Sequence, residues 1–353
     1  MDTGNFERCF DKFEEMKTSL SEWFKLTDAN KRNIFAETAR QKALPVSSIE
    51  KDWWVVHTLF ALFSTEYKDK LIFKGGTSLS KSWNLIERFS EDIDLSLDRE
   101  FLGFTGELSK KEIQKLRYTS YEFLSTKFVA ALELSFREMG FENITVKPQQ
   151  VVNHDQDPLI IEIYHPKQTE NDLYLRPDIL VEIGSRSLKE PYSQRNISAF
   201  VSEVFDGMPF TENPIIVPTV NPERTFLEKV FLLHEEYQRP PEKMRVERLS
   251  RHLYDIEKLS QTSYFSKALS DKKLYKTIVA HREKFSRLSG VDYTKHAPEH
   301  IRIVPPENLL PLWEKDYESM INSMVYGKKL SFNELILRIY NVQKQINKNQ
   351  ILP

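Results

Sequence analysis

The stretch that most constrains this chain is residues 71–94, LIFKGGTSLSKSWNLIERFSEDID. A short apolar run leads straight into two glycines, a hydroxyl-rich segment follows, and the chain returns in an alternating run, SEDIDLSL (90–97). The apolar run reads as a strand, and the adjacent glycines Gly75 and Gly76 allow a sharp turn and close approach to a ligand. Thr77 or Ser78 is placed to cap a helix over SLSKSWNLIERF. The first N–H groups of such a helix are unpaired and suit phosphate oxygens, to which Thr77 and Ser78 could add hydroxyl donors. By itself this is also an ordinary strand–turn–helix.

The alternating run is predicted as a second strand. Side chains two apart on a strand share a face, so Asp92 and Asp94 project together while Ile93 and Leu95 turn the other way. Two neighbouring carboxylates repel, and holding them on a packed strand is costly unless a cation offsets the charge. Magnesium binds through one or two carboxylates together with substrate phosphates. A solvated acidic edge strand is the bland alternative, and the bulky Ile93, Leu95 and Leu97 argue for packing instead. The helix between the strands returns the chain so that the acidic pair lies beside the Gly-Gly turn.

The rest of the sequence frames this unit. The chain has 353 residues, a formal charge of −2, 40% hydrophobic and 12% aromatic residues, and 10 glycines. That composition supports a sizeable, helix-rich core and a prior of two domains, or one domain with a large helical addition. Near-neutral charge weakens a polynucleotide substrate without excluding it. The single cysteine, Cys9, cannot form an internal disulfide, which fits a reducing compartment. The N-terminus lacks the pattern of a signal peptide, and no stretch approaches the ~18 apolar residues of a membrane span. The expected location is the cytoplasm.

Helical spacing covers residues 5–40; a second helix starts at Ser47 or Ser48, after Pro45, and runs to about Phe63; residues 107–139 are helical again. Strands are predicted over 158–165, 173–184 and 214–220. From Pro222, at a favourable first-turn position, the pattern is almost purely helical, with helices over 222–238 and 246–260 and a tail, VQKQINKNQILP, expected to fray. The fold class is α+β: a small mixed sheet followed by a C-terminal helical bundle, divided near residue 220.

Several segments together resemble the AbiEii/AbiGii toxin family of the nucleotidyltransferase superfamily. They are IEKDWWV (49–55), FKGGTSLSKSW (73–83), IERFSEDIDLSL (86–97), RPDILVEIGSRS (176–187), PERTFLEKVFLLHEE (222–236), RLSRHLYDIEKL (248–259) and DYESM…FNELI (316–336). The resemblance implies a polymerase-β-like nucleotidyltransferase domain over 1–220, with N-terminal helices, and a helical domain over 221–353. It implies transfer of a nucleoside monophosphate from a nucleoside triphosphate with Mg2+ (Mn2+ possible), an acceptor at the 3′ end of tRNA, a cognate antitoxin protein and a role in phage defence. On this sequence the metal-binding motif falls on Asp92 and Asp94, and the phosphate-binding turn on Gly75, Gly76, Thr77 and Ser78. The resemblance also puts Lys229 on the triphosphate, and Arg248, Arg251, His252 and Asp255 near the nucleotide.

Glu182 is the candidate third carboxylate, either as a metal ligand or as the base for the acceptor hydroxyl. Alternation groups it with Asp178 and Leu180, and its partner could be a shared metal or Arg186. Its structural alternative is an ion pair with Arg186 or Arg176. Lys229, among Phe226, Leu227, Val230 and Phe231, either has a directed role or snorkels from a core helix. Arg248, Arg251, His252 and Asp255 fall on one helix stripe, where Arg251 and Asp255 could simply pair at i, i+4. Ser90 could contact phosphate, become modified, or merely start a strand. His234, Trp53 and Trp54 read as core residues, and the loop NHDQDP (153–158) as a polar turn. Two other readings are the same chemistry on a protein or small molecule, and a catalytically silent nucleotide-binding module acting through a partner. Phosphoryl rather than nucleotidyl transfer is a third.

Overall fold

The computed structural model describes residues 3–151, 157–170, 176–186, 191–286 and 288–349, with side chains from Glu14 onward. It divides into two compact units, Met1–Ser82 with Phe89–Thr219, and Trp83–Arg88 with Val220–Pro353.

In the first unit the N-terminal helical pattern breaks into α1 (Thr3–Lys25) and α2 (Asp28–Lys42) because Thr27 caps α2, accepting from the Asn30 N–H at 3.2 Å. Helix α3 (Val46–Ser64) begins directly after Pro45, one or two residues before the expected serines, and every residue from Ser48 to Leu62 is buried. Trp53 and Trp54 are core residues, as their surroundings suggested. There follow β1 (Leu71–Lys74), α4 (Gly75–Lys81) and β2 (Ile93–Leu97). The helical stretch over 107–139 is α5 (Lys110–Phe123), a π-helical turn over 124–128, and α6 (Val129–Glu138). The unit closes with β3 (Thr145–Pro148), β4 (Leu159–Tyr164), β5 (Ile179–Gly184), β6 (Tyr192–Ile197), α7 (Phe200–Val204) and β7 (Ile215–Val220).

The strands form one mixed seven-stranded sheet in the order β3-β4-β5-β2-β1-β7-β6. β2 runs antiparallel to β1 and parallel to β5, and β1 runs parallel to β7. Alternation gives the sheet one apolar face: Leu71, Phe73, Ile93, Leu95, Leu97, Leu159, Ile161, Ile163, Ile179, Val181 and Ile183 are all at most 1% exposed. Burying these aliphatic side chains, each worth ~1.5–3 kcal/mol relative to exposure, fixes the register, since a one-residue slip would turn them outward. The opposite face is thereby committed to Lys74, Asp94 and Glu182.

The second unit is helical: α8 (Pro222–Glu236), α9 (Ser250–Ser260), α10 (Ser263–Ser270), α11 (Lys272–Phe285), α12 (Leu310–Met324) and α13 (Phe332–Lys348). Pro222 occupies the first turn of α8, where its missing N–H costs nothing. Residues 83–88 join this unit: Trp83 Nε1 donates to Val220 O at 3.0 Å, and Glu87 O accepts from the N–H groups of Tyr326 and Gly327. Of the tail expected to fray, residues 342–348 are the end of α13, with Val342 and Ile346 buried, while residues 350–353 lie outside the described residues. No helix among the described residues is long and apolar enough to cross a membrane.

Candidate active site

The acidic pair and the glycine turn meet at the end of β1. Lys74 is paired with Asp94 across β1 and β2, Asp94 with Glu182 across β2 and β5, and Glu182 with Ile160 across β5 and β4. Register partners share a face, so Lys74, Asp94, Glu182 and Ile160 form one row across four strands. Asp92 precedes β2 by one residue and, like Asp94 and Glu182, is half-buried. Gly75 has φ +80°, and a Cβ built on it would lie 1.9 Å from Asp94 Oδ2 and 2.9 Å from Asp94 Cβ. The Asp94 carboxylate therefore lies directly against the glycine backbone.

Helix α4 differs from expectation. It starts at Gly75 itself, its N-cap Lys74 provides no side-chain cap, and it stops at Lys81 rather than continuing to Phe89. Thr77 and Ser78 are inside the helix and fully buried, not capping residues. The Thr77 hydroxyl donates to Asp92 O at 2.5 Å and lies 2.9 Å from Ser90 Oγ. Ser78 Oγ donates to Gly75 O at 2.9 Å. The Thr77 hydroxyl thus fastens the turn to the Asp92 backbone, and the Ser78 hydroxyl closes the turn on itself. Ser90, buried, belongs to the same fastening.

The turn's dependence on glycine is testable. In Gly75→Ala the left-handed backbone costs roughly 1–2 kcal/mol, and the new methyl must displace Asp94. The expected result is a protein that folds with a lowered melting point and loses transferase turnover ~100-fold. Gly103→Ala, with φ +86° but nothing within 4 Å of its Cβ, should show the stability loss alone.

Arg186 pairs with Asp157, Nε to Oδ2 2.5 Å, and Asp157 Oδ1 also accepts from Ser185 N–H at 3.0 Å. Asp157 is the described part of the 153–158 loop together with Pro158; residues 153–156 lie outside the described residues. Ser187, quoted in the 176–187 motif, lies outside them too.

Lys229, Arg251 and Asp255 belong to the second unit. The Asp255 carboxylate takes a bidentate fork from Arg88, Nε to Oδ1 and Nη2 to Oδ2 at 2.7 Å each, and Lys229 Nζ lies 2.8 Å from Oδ2. Burial raises the Asp255 carboxyl, but Arg88 and Lys229 outweigh it and hold the group well below the usual carboxylate range. Burial pulls the Lys229 ammonium down against the opposing pull of Asp255. His252, whose Nδ1 lies 3.4 Å from Lys229 Nζ, is pushed well below the usual imidazole range by burial and then by the Lys229 charge, so it is neutral near pH 7. Lys229 is thus neither snorkelling nor solvated; its ion pair accounts for its burial. Arg248 is not on the helix stripe with Arg251 and Asp255: it precedes α9 with φ +60°, and its N–H donates to Asp316 Oδ1 at 2.7 Å. His234 Nδ1 accepts from Arg302 N–H at 3.1 Å, a core hydrogen bond as expected.

Three charged residues that sequence reasoning passed over lie in α3. Glu50, Lys51 and Asp52 are at most 5% exposed. Glu50 accepts from Gln168 N–H at 2.6 Å and Thr169 N–H at 2.9 Å. Lys51 Nζ donates to Arg176 O and Asp178 O at 2.7 and 2.5 Å and lies 3.5 Å from Glu91 Oε2. Asp52 Oδ1 is 2.7 Å from Lys81 Nζ, and its Oδ2 accepts from Phe200 N–H at 2.7 Å. The available signal was the run of three charges inside an otherwise apolar helix.

The sequence model of the family described as "Nucleotidyl transferase AbiEii toxin, Type IV TA system" matches residues 57–338. The chain belongs to the AbiEii toxin family. It is accordingly a nucleotidyltransferase toxin of a type IV toxin–antitoxin system, which implies a nucleoside triphosphate substrate and a cognate antitoxin. No curated protein matches the sequence. Among solved structures, JHP933 from Helicobacter pylori is similar with a TM-score of 0.42 and 14% identity over 86% of this chain and 94% of that one. MenT4, a nucleotidyltransferase toxin from Mycobacterium tuberculosis H37Rv, is similar with a TM-score of 0.42 and 16% identity over 92% of this chain and 98% of that one.

For an AbiEii-family enzyme the question is whether the acidic face suits a divalent cation. Among the described residues, no set of three or more His, Cys, Asp or Glu side chains is gathered closely enough to hold a metal. Asp92, Asp94 and Glu182 are therefore not a ready-made three-ligand cage. Magnesium, however, uses one or two carboxylates and completes its shell with phosphate oxygens and water. Two half-buried aspartates beside a glycine turn fit that requirement, and Glu182 stands next in the row.

Proposed function

We propose that this AbiEii-family toxin transfers a nucleoside monophosphate from a nucleoside triphosphate to the 3′ end of tRNA, with Mg2+ or Mn2+ as the activating ion. The observation that carries the reading is the seating of Asp94 against Gly75 and in register with Glu182. Asp92 and Asp94 would hold the ion, which when bound supplies charge neutralisation on the triphosphate and at the attacking oxygen. The N–H groups of Gly75 and Gly76 face the phosphates, with Thr77, Ser78 and Ser90 keeping the turn rigid. Glu182 takes the proton of the acceptor hydroxyl. That oxygen attacks the α-phosphorus, a new P–O bond forms, the bond to the β-phosphate breaks, and pyrophosphate leaves. Catalysis is by positioning and electrostatic stabilisation rather than by a covalent intermediate. In this reading residues 1–220 are the transferase domain and 221–353 a helical domain, and the toxin acts in the cytoplasm in phage defence, restrained by its antitoxin.

The test is incubation with each of the four triphosphates, α-labelled and γ-labelled, together with total cell RNA and protein. Label from the α-position appearing in tRNA is the expected result. Label confined to protein would reject the tRNA acceptor, and γ-label alone would reject nucleotidyl transfer.

A further inference from the structure

We propose that Lys51 and Asp52 of α3 are positioning residues that brace the glycine turn, the Asp92 segment and the start of β5 against one another; the inference rests on the transfer reading above. Each of the three pieces carries part of the site, and each is tied to one of these two adjacent residues. Lys51 binds the two carbonyls that lead into β5, Arg176 O at 2.7 Å and Asp178 O at 2.5 Å, four residues before Glu182 at the nearer of them. Its third neighbour is Glu91, at 3.5 Å, the residue next to Asp92. Glu91 Oε2 in turn accepts from Arg176 N–H at 3.1 Å, so the two segments are joined to each other as well as to Lys51. Asp52, the next residue, reaches the third piece: its Oδ1 is 2.7 Å from Lys81 Nζ, on the last residue of α4, the helix that Gly75 opens. The Lys81 ammonium also lies 3.9 Å from the centre of the Phe200 ring, and Asp52 Oδ2 holds Phe200 N–H, which leaves Lys81 little freedom.

The chemistry of the brace explains why charge is used where an apolar side chain would fill the space. The ammonium has three donors, and two carbonyls and a carboxylate surround it, so the buried cation is matched on each side. A carbonyl pair and a carboxylate held by one point charge cannot drift apart without leaving that charge buried and unpaired, which costs several kcal/mol. Glu50 makes an informative contrast. It sits on the same helix, just as buried, but its bonds go to the 168–169 segment, not to any piece of the site.

The experiment compares Lys51→Met, Asp52→Asn, Glu50→Gln and Asp94→Asn in steady-state incorporation of α-labelled triphosphate into tRNA. Rates are normalised to the folded fraction well below each variant's melting midpoint. Misplacement of reacting groups lowers turnover more than ground-state binding, so Lys51→Met should lose kcat by ~10- to 100-fold with KM for the triphosphate within about threefold of wild type. Asp52→Asn should show the same split, more weakly, and serves in place of Lys51→Met if the latter does not fold. Glu50→Gln should retain wild-type turnover per folded molecule. The brace is overturned if Lys51→Met and Asp52→Asn lose no more kcat than Glu50→Gln while Asp94→Asn is inactive. Wild-type incorporation by Asp94→Asn would instead overturn the transfer reading, and the brace with it.

Discussion

Asp94→Asn is expected to lower nucleotide incorporation by ~10²–10³-fold, the loss of several kcal/mol of charge stabilisation, while leaving the melting midpoint unchanged or slightly raised. The two halves of this prediction have one cause. Asp94 sits within two residues of Asp92 and in register with Glu182, so the folded protein holds like charges close together. An isosteric amide relieves that repulsion while keeping the side chain's shape, but it removes the negative charge a divalent cation needs. A site kept for function at the expense of stability behaves this way; a structural carboxylate does the reverse. Melting and label incorporation measured on the same preparation separate the two. A variant that melts several degrees lower and still transfers nucleotide would show that Asp94 serves the fold.

Asp255→Ala is the opposite case. It strands Arg88 and Lys229, both buried, opposite a vacated position, and the expected cost is ~3–5 kcal/mol of unfolding free energy. Chemical denaturation measures it; a loss below about 1 kcal/mol, the range of an exposed pair, would contradict the buried triad. The pH dependence has a definite sign. Because Arg88 and Lys229 overcome burial and lower the folded-state pKa of Asp255, its contribution is fully present above the unfolded carboxyl value of ~3.9 and is lost as pH falls below it. The destabilisation caused by Asp255→Ala should therefore be full at pH 7 and shrink on acidification.

Much of the site was readable because its signals are local. Adjacent glycines mark a turn, and the alternation of Asp92, Ile93, Asp94 and Leu95 sets which side chains share a face without reference to the rest of the chain. What sequence could not supply were the distant partners. Thr77 and Ser78 look like free hydroxyls until Asp92 O and Gly75 O are seen to take them. Lys229 reads as an isolated ammonium until Asp255 and Arg88 are brought to it. Helix α4 reads through to Phe89 by composition, yet ends at Lys81, and residues 83–88 make their hydrogen bonds in the second unit instead. β6, YSQRNI, is an edge strand whose polar residues carry no apolar alternation, and β3 is only TVKP, so neither was predicted. The end of α13 is different: Leu335, Ile339, Val342 and Ile346 keep helical spacing, and the Gln, Lys and Asn residues between them obscured a legible pattern.

The mechanism turns on one location, where Asp94 of β2 lies against Gly75 and Asp92 immediately precedes the strand. Crystals soaked with Mn2+ and a non-hydrolysable triphosphate, examined by anomalous scattering, test it most directly. The predicted result is a manganese peak within ~2.0–2.3 Å of Asp92 and Asp94 carboxylate oxygens, with phosphate density at the Gly75–Gly76 turn. Manganese and triphosphate bound elsewhere, with both aspartates left uncoordinated, would contradict it.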